Sequence, residues 1–375
     1  MGIREDLKQA QRIVVKVGTS TLTYATGKLN LYRMEKLVRE LSDLMNQGRE
    51  VILVTSGAVA VGMERMGLKE KPSDIPAKQA LAAVGQGMLM HIYEKLFAEY
   101  EQTAAQVLLT KENSVRHNQY SNSRNALLEL VKMGAVPIIN ENDAVAVDEL
   151  KIGDNDTLSA IVATIVDADA LLILSDIEGL YTANPQTDGN ARLLTEISEI
   201  TPEIERMAGG AGSKLGTGGM YTKIQAAKIA VNAGVAMVIA SGAADGVVRR
   251  VMEGEPLGTL FPARESHLRV RKSWLAFGKR IMGDIVVDEG CEKALLNQGS
   301  SILAAGIMDA EGEFKAGNTV RVLSPDGREI ARGIVNYAVE DLKKILGRQT
   351  NEFSALLEGE IYEEVIHRDN MVLMV

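Results

Sequence analysis

Cysteine is almost absent from this chain: Cys291 stands alone among 375 residues. A single thiol excludes an intramolecular disulfide and a cysteine-built metal site. It points to a reducing compartment, so a cytoplasmic location is expected. Histidine is scarce too. His91, His117, His267 and His367 lie far from the polar loops described below, and no G-x-S-x-G occurs. Triad hydrolases and histidine metal clusters are thereby removed. Neither G-x-x-x-x-G-K-[ST] nor G-x-G-x-x-G is present, which excludes a P-loop and a dinucleotide fingerprint. Long hydrophobic runs are missing as well. The most apolar long stretch, Leu158 to Leu174, is broken by Asp167 and Asp169, so no membrane span is expected. The opening Met1–Asp6 is charged with no apolar segment behind it, so no secretory leader is expected either.

What is present fits a globular enzyme. A hydrophobic content of 46% and a charged content of 24% are ordinary for one, and 375 residues suggest two domains. Short apolar runs at Ile13–Val17, Glu50–Thr55, Ala135–Asn140, Ala170–Ser175 and Val235–Ala240 read as strands. Helical periodicity lies between them, with Met34, Leu37, Val38 and Leu41 on one face and further helices at Thr157–Val166 and Met220–Ala233. Strands alternating with helices predict an α/β domain, a mainly parallel sheet sandwiched between helices, over residues 1–262.

Residues 263–280 read as a linker. The stretch from Arg264 to Arg280 holds six cations against one acid. Beyond it, residues 281–375 form a second, smaller β-rich domain, with Pro325-Asp326-Gly327 turning between two alternating runs. Its nine Lys/Arg against seventeen Asp/Glu carry most of the chain's net charge of −9.

Ligands of open α/β sheets bind beyond the carboxyl ends of the strands, and the polar clusters here fall at those ends. Lys16 closes the first apolar run and leads into Val17-Gly18-Thr19-Ser20; it reads either as a solvated edge residue or as a phosphate contact. Ser56 and Gly57 after the second run could hold an anion on exposed amides, or form a tight turn. Asn140-Glu141-Asn142-Asp143 is either a binding loop or a plain one. In Gly153-Asp154-Asn155-Asp156-Thr157, Asp156 can cap the following helix, which leaves Asp154 and Asn155 unexplained. Ser175-Asp176 precede a loop in which Tyr181 either flanks a nucleotide base or sits in a surface turn. Gly216-Thr217-Gly218-Gly219-Met220-Tyr221-Thr222-Lys223 is the strongest element. Three glycines in four residues are costly in chain entropy unless the backbone must approach something, and a helix start favours phosphate. Two lysines beside glycine loops point to phosphoryl transfer.

Taken together, Val15–Ser20, Val54–Ala58, Ile139–Asp143, Gly153–Asp156 and Gly216–Lys223 resemble the amino acid kinase family, in its glutamate 5-kinase branch. The five motifs keep the family's order. The C-terminal part, with Gly283–Val287 and Gly317–Val320, resembles the PUA domain appended to many members.

The resemblance implies ATP-dependent phosphorylation of the L-glutamate side-chain carboxylate to L-glutamyl 5-phosphate, the first step of proline biosynthesis. It implies Mg²⁺ riding on the ATP, proline as feedback inhibitor and a homo-oligomer, a tetramer by family. Lys16 and Lys223 match the lysines on the transferring phosphoryl group, and Asp156 the residue that orients them. Ser56, Asp143 and Asn155 match the glutamate site. Ser175, Asp176 and the segment Thr217, Gly218, Gly219, Met220, Tyr221, Thr222 and Lys223 match the nucleotide site. The alternatives are another amino acid kinase, acting on aspartate, acetylglutamate, carbamate or UMP, and an RNA-binding protein acting through the PUA-like domain. Against RNA stands the acidic balance of residues 281–375, since nucleic-acid affinity comes largely from Lys and Arg. No nucleic-acid partner is therefore expected.

Overall fold

The first strand, β1 (Arg12–Val17), is buried along nearly its whole length, and its residues alternate between two cores. Ile13, Val15 and Val17 join one core, Val14 the other. A strand apolar on both faces needs helices on both sides of its sheet. The computed structural model describes residues 4–110, 117–145, 155–183, 185, 187–209, 219–263, 281–357 and 361–374. They fall into two units, residues 1–267 and 268–375.

In the first unit, β1 is followed by β2 (Glu50–Thr55), β3 (Thr103–Leu109), β4 (Ala135–Glu141), β5 (Ala170–Ser175), β6 (Ala236–Ser241) and β7 (Thr259–Phe261). The sheet order is β3–β4–β2–β1–β5–β6–β7, all parallel except β7, which runs against β6. Between these strands come α1 (Glu5–Gln9), α2 (Thr19–Leu22), α3 (Leu31–Asn46), α4 (Ala58–Arg65) and α5 (Ile75–Ala98). They are followed by α6 (His117–Lys132), α7 (Asn155–Ile165), α8 (Pro202–Met207), α9 (Met220–Asn232) and α10 (Val247–Met252). Helices α3, α5 and α10 cover one face through Met34, Leu41, Tyr93, Phe97 and Val248. Helices α6, α7 and α9 cover the other through Leu127, Leu158, Val162 and Ile224.

The five expected strands are all present, and the last is shifted by one residue to Ala236–Ser241. The sequence reading passed over β3, β7, the long helices α5 and α6, and the short α1, α2, α8 and α10. Strand β3 lies at the sheet edge and is only partly buried, so it carries no apolar run. Helix α5 opens on a clear signal, Asp74 accepting the Ala77 N–H at 3.0 Å with Pro76 in the first turn. Its packing against α4 depends on two glycines. A Cβ on Gly62 would stand 2.0 Å from the Leu81 carbonyl oxygen, and one on Gly85 would stand 1.8 Å from that of Ala58. The two helices therefore touch backbone to backbone, which fixes the start of α4 over the end of β2. No helix among the described residues is long and apolar enough to cross a membrane.

The second unit has its own core, including Ile285, Phe314, Val320, Ile330 and Phe353. Its strands are β8 (Ile281–Val287), β9 (Ile302–Leu303), β10 (Ile307–Gly312), β11 (Thr319–Leu323), β12 (Glu329–Ile334), β13 (Glu364–Ile366) and β14 (Met371–Leu373). They form a five-stranded sheet, β10–β8–β11–β12–β14, and a pair, β13–β9. The hairpin predicted at Pro325-Asp326-Gly327 joins antiparallel β11 and β12, with Gly327 at φ +82°. The expected linker, residues 263–280, lies outside the described residues from 264 on.

Candidate active site

Lys16 follows Val15 in β1, so its side chain emerges on the face of Val14, the face covered by α7 and α9. Asp156 is the second residue of α7 and Lys223 the fourth of α9. The three meet at the carboxyl edge of the sheet. Lys16 Nζ lies 2.5 Å from Asp156 Oδ1, and Lys223 Nζ lies 3.0 Å from Asp156 Oδ2. Thr222 adds a hydroxyl donated to Asp156 Oδ2 at 3.1 Å.

All three charged groups are buried, Asp156 completely, with Lys16 6% and Lys223 3% exposed. Burial pushes the Asp156 carboxyl up, but the ammonium groups of Lys16 and Lys223 outweigh it and hold it below the usual carboxylate range. Two ammonium groups on one carboxylate gather positive charge at one point, where desolvation makes charge expensive. Such a cluster suits a multiply charged anion.

Asp156 does not cap α7, as the cap reading supposed. It lies inside the helix with its side chain spent on the lysines, because α7 packs against α9 and brings Lys223 onto it. Asn155, at the helix start, turns toward the sheet instead. Its two Nδ2 protons face the Thr55 carbonyl at 2.8 Å and Asn140 Oδ1 at 2.9 Å, and Ser56 Oγ lies 2.8 Å from the same nitrogen. Ser56 precedes Gly57, whose φ of +104° favours glycine and turns the chain from β2 into α4.

Lys16, Ser56, Asp143, Asn155, Ser175, Asp176 and Lys223 line one cleft of about 630 Å³. Ser175 Oγ donates to Asp176 Oδ1 at 3.0 Å. Gly219, Met220, Tyr221 and Thr222 form the start of α9 beside it, with no side-chain cap on the helix. Thr217 and Gly218, together with Gly216, Gly153 and Asp154, lie outside the described residues. Tyr181 pairs in a bridge with Leu193 and donates its hydroxyl to Glu178 at 2.5 Å; it does not line the cleft.

Three groups escaped the sequence reading. Lys71 and Lys78 line the cleft, Lys78 with its ammonium on the Ser73 carbonyl at 2.9 Å. Gln86, on α5, accepts on Oε1 from Asn140 Nδ2 at 2.9 Å. The signal for the lysines was the Asp74 cap, which places Lys78 in the first turn of α5. An amide in an apolar helix gives no such signal.

A mainly parallel sheet with paired lysines at its carboxyl edge defines a class, and the comparisons agree with it. Residues 11–241 match the amino acid kinase family and residues 283–357 match the PUA domain. The chain belongs to the amino acid kinase family. It is 53% identical over 368 residues to the glutamate 5-kinase of Moorella thermoacetica, covering 98% of this chain and 97% of that protein. It is 52% identical over 363 residues to the glutamate 5-kinase of Caldanaerobacter subterraneus subsp. tengcongensis, covering 97% and 98%. The glutamate 5-kinase of Carboxydothermus hydrogenoformans is 52% identical over 373 residues, covering 99% of this chain and all of that protein.

Proposed function

We propose that this chain transfers the γ-phosphoryl group of ATP to the side-chain carboxylate of L-glutamate, giving ADP and L-glutamyl 5-phosphate for proline biosynthesis. The observation that carries the reading is the buried Lys16–Asp156–Lys223 cluster, with two ammonium groups on one carboxylate, in a chain about half identical to glutamate 5-kinases over nearly full length.

The nucleophile needs no base, because a glutamate side chain, with pKa ~4.3, is already ionised at neutral pH. A carboxylate oxygen attacks the γ-phosphorus, the bond to the ADP oxygen breaks, and no proton is transferred. What the protein must supply is position and charge neutralisation. Lys16 and Lys223 meet the transferring group from β1 and α9, and Asp156 keeps both aimed at one point. Ser56, Asp143 and Asn155 hold glutamate, while Ser175, Asp176 and the Thr217–Lys223 segment hold the nucleotide.

A resident metal does not fit this site. Both Asp156 oxygens face ammonium groups, and among the described residues no group of three or more His, Cys, Asp or Glu is arranged to hold a metal ion. Mg²⁺ enters as part of the substrate, on the ATP phosphates.

Proline, sharing the α-carboxylate and amine of glutamate, is the feedback inhibitor in this reading. The domains are 1–262 for catalysis and 281–375 for regulation or assembly of a cytoplasmic oligomer. The test is ADP release with a panel of acceptors, trapping the acyl phosphate with hydroxylamine. Glutamate-dependent hydroxamate is the expected result. Turnover with aspartate, acetylglutamate, carbamate or UMP instead of glutamate would overturn the reading.

A further inference from the structure

From the cleft wall inward runs a chain of amide hydrogen bonds whose polarity can be read from one end to the other. Asn140 Oδ1 accepts from the Glu141 backbone N–H at 2.9 Å, a group that can only donate. That fixes the Asn140 amide, so its Nδ2 must donate, and it does so to Gln86 Oε1 at 2.9 Å. Asn140 Oδ1 also accepts from Asn155 Nδ2 at 2.9 Å. The Thr55 carbonyl, which can only accept, orients the Asn155 amide the same way. The amide nitrogen of Asn155 is thus committed to the protein. Its Oδ1, with no partner among the described residues, is left as an acceptor at the cleft. Ser56 Oγ, 2.8 Å from an amide nitrogen that cannot accept, has its own proton available to an anion. Acceptor and donor side by side match the ammonium and carboxylate of an α-amino acid.

Gln86 closes this chain. It sits on α5, is 8% exposed, and does not line the cleft. Its Nε2 is buried with no partner among the described residues, where its one side-chain hydrogen bond is the one it accepts from Asn140. Burying an amide this way is unfavourable for packing alone, since an unpartnered polar atom costs more than an apolar one of the same shape.

We propose that Gln86 is a positioning residue for the amino-acid substrate, acting through Asn140 to hold Asn155 with its oxygen toward the substrate ammonium. Without the Gln86 acceptor, the Asn140 amide keeps only the contacts of its oxygen, and its Nδ2 becomes a buried unsatisfied donor. The loss reaches the ammonium subsite and leaves the lysines and the nucleotide side untouched. This inference rests on the glutamate reading above.

The test is steady-state kinetics of Gln86→Met, which keeps size but removes the acceptor, and of Gln86→Glu, which keeps an acceptor oxygen. Glutarate, which lacks the α-amino group, serves as the comparison acceptor. Gln86→Met is expected to raise the KM for glutamate about tenfold, with kcat and the KM for ATP little changed. It should also reduce the preference for glutamate over glutarate. Gln86→Glu is expected to restore most of both. Gln86→Leu carries the same test should the methionine variant fold poorly. An unchanged KM for glutamate, or equal losses toward glutamate, glutarate and ATP, overturns the role of Gln86 while leaving the kinase reading intact. Wild-type protein that makes no hydroxamate from glutamate overturns both.

Discussion

Removing one charge from the buried cluster should have opposite effects on stability depending on which charge goes. Lys16 and Lys223 contact opposite oxygens of one carboxylate at 2.5 and 3.0 Å. Their nitrogens therefore stand roughly 6 Å apart, and at an effective dielectric near 20 their mutual repulsion is about 3 kcal/mol. Asp156→Asn leaves that repulsion uncompensated. Breaking a buried pair by removing one partner typically costs about 3–5 kcal/mol, enough to lower the unfolding midpoint of a unit this size by roughly 10 °C. Lys16→Met instead leaves a matched pair, Asp156 with Lys223, and one fewer desolvated charge. Its midpoint should hold or rise while kcat falls roughly 10²–10³-fold, the usual worth of one charge-stabilising group.

The assay pairs calorimetric unfolding with hydroxamate formation on the same samples. Acid adds a second readout. The Asp156 carboxyl is held low in the folded protein, so its contribution is complete above the ordinary carboxylate pKa and is lost as pH falls toward the folded value. Asp156→Asn should lack that component of acid destabilisation. If both variants moved the midpoint in the same direction, or if Lys16→Met kept near-normal kcat, the charge assignment would be refuted.

Three further outcomes are expected. Asp143→Ala and Asn155→Ala should raise the KM for glutamate roughly tenfold or more with smaller effects on kcat, as comparison of the two constants in acceptor titrations will show. Gly85→Ala, which puts a methyl 1.8 Å from the Ala58 carbonyl, should cost about 1–3 kcal/mol and lower activity by moving the start of α4; thermal unfolding and kinetics check both. A protein ending near residue 263 should keep turnover but lose part of its response to proline, and the 281–375 fragment, with nine Lys/Arg against seventeen Asp/Glu, should show no submicromolar RNA binding in a salt-dependent titration.

The central strands were legible because both their faces are buried, which forces continuous runs such as Val51-Ile52-Leu53-Val54. Edge strand β3 was not, since Thr103-Ala104-Ala105-Gln106 need satisfy only partial burial. Helix α5 is buried at Leu89, Tyr93 and Phe97 but shows small residues on several sides, so no single stripe marks it. The candidate site was visible to the extent that it occupies strand ends: Lys16, Ser56, Asp143 and Ser175 each follow an apolar run. Asp156 was ambiguous for a physical reason. A carboxylate at the start of a helix ordinarily caps it, and only the packing of α7 on α9 directs this one to the lysines. Gln86 was invisible, because its meaning depends on which way a neighbouring amide faces.

The Lys16–Asp156–Lys223 contact also bears on how the chain reaches its active form. The three residues come from the first strand, a middle helix and a late helix of the first unit, so no local segment can assemble them. Contacts of such long sequence separation form slowly, after loop closure across most of the unit. Until α9 docks beside α7, Asp156 holds at most one of its lysines and there is no paired cradle for a phosphoryl group. If the pair holds the phosphoryl group as proposed, transfer switches on only when the last of these elements is seated. In that reading a chain still folding does not yet make the reactive acyl phosphate.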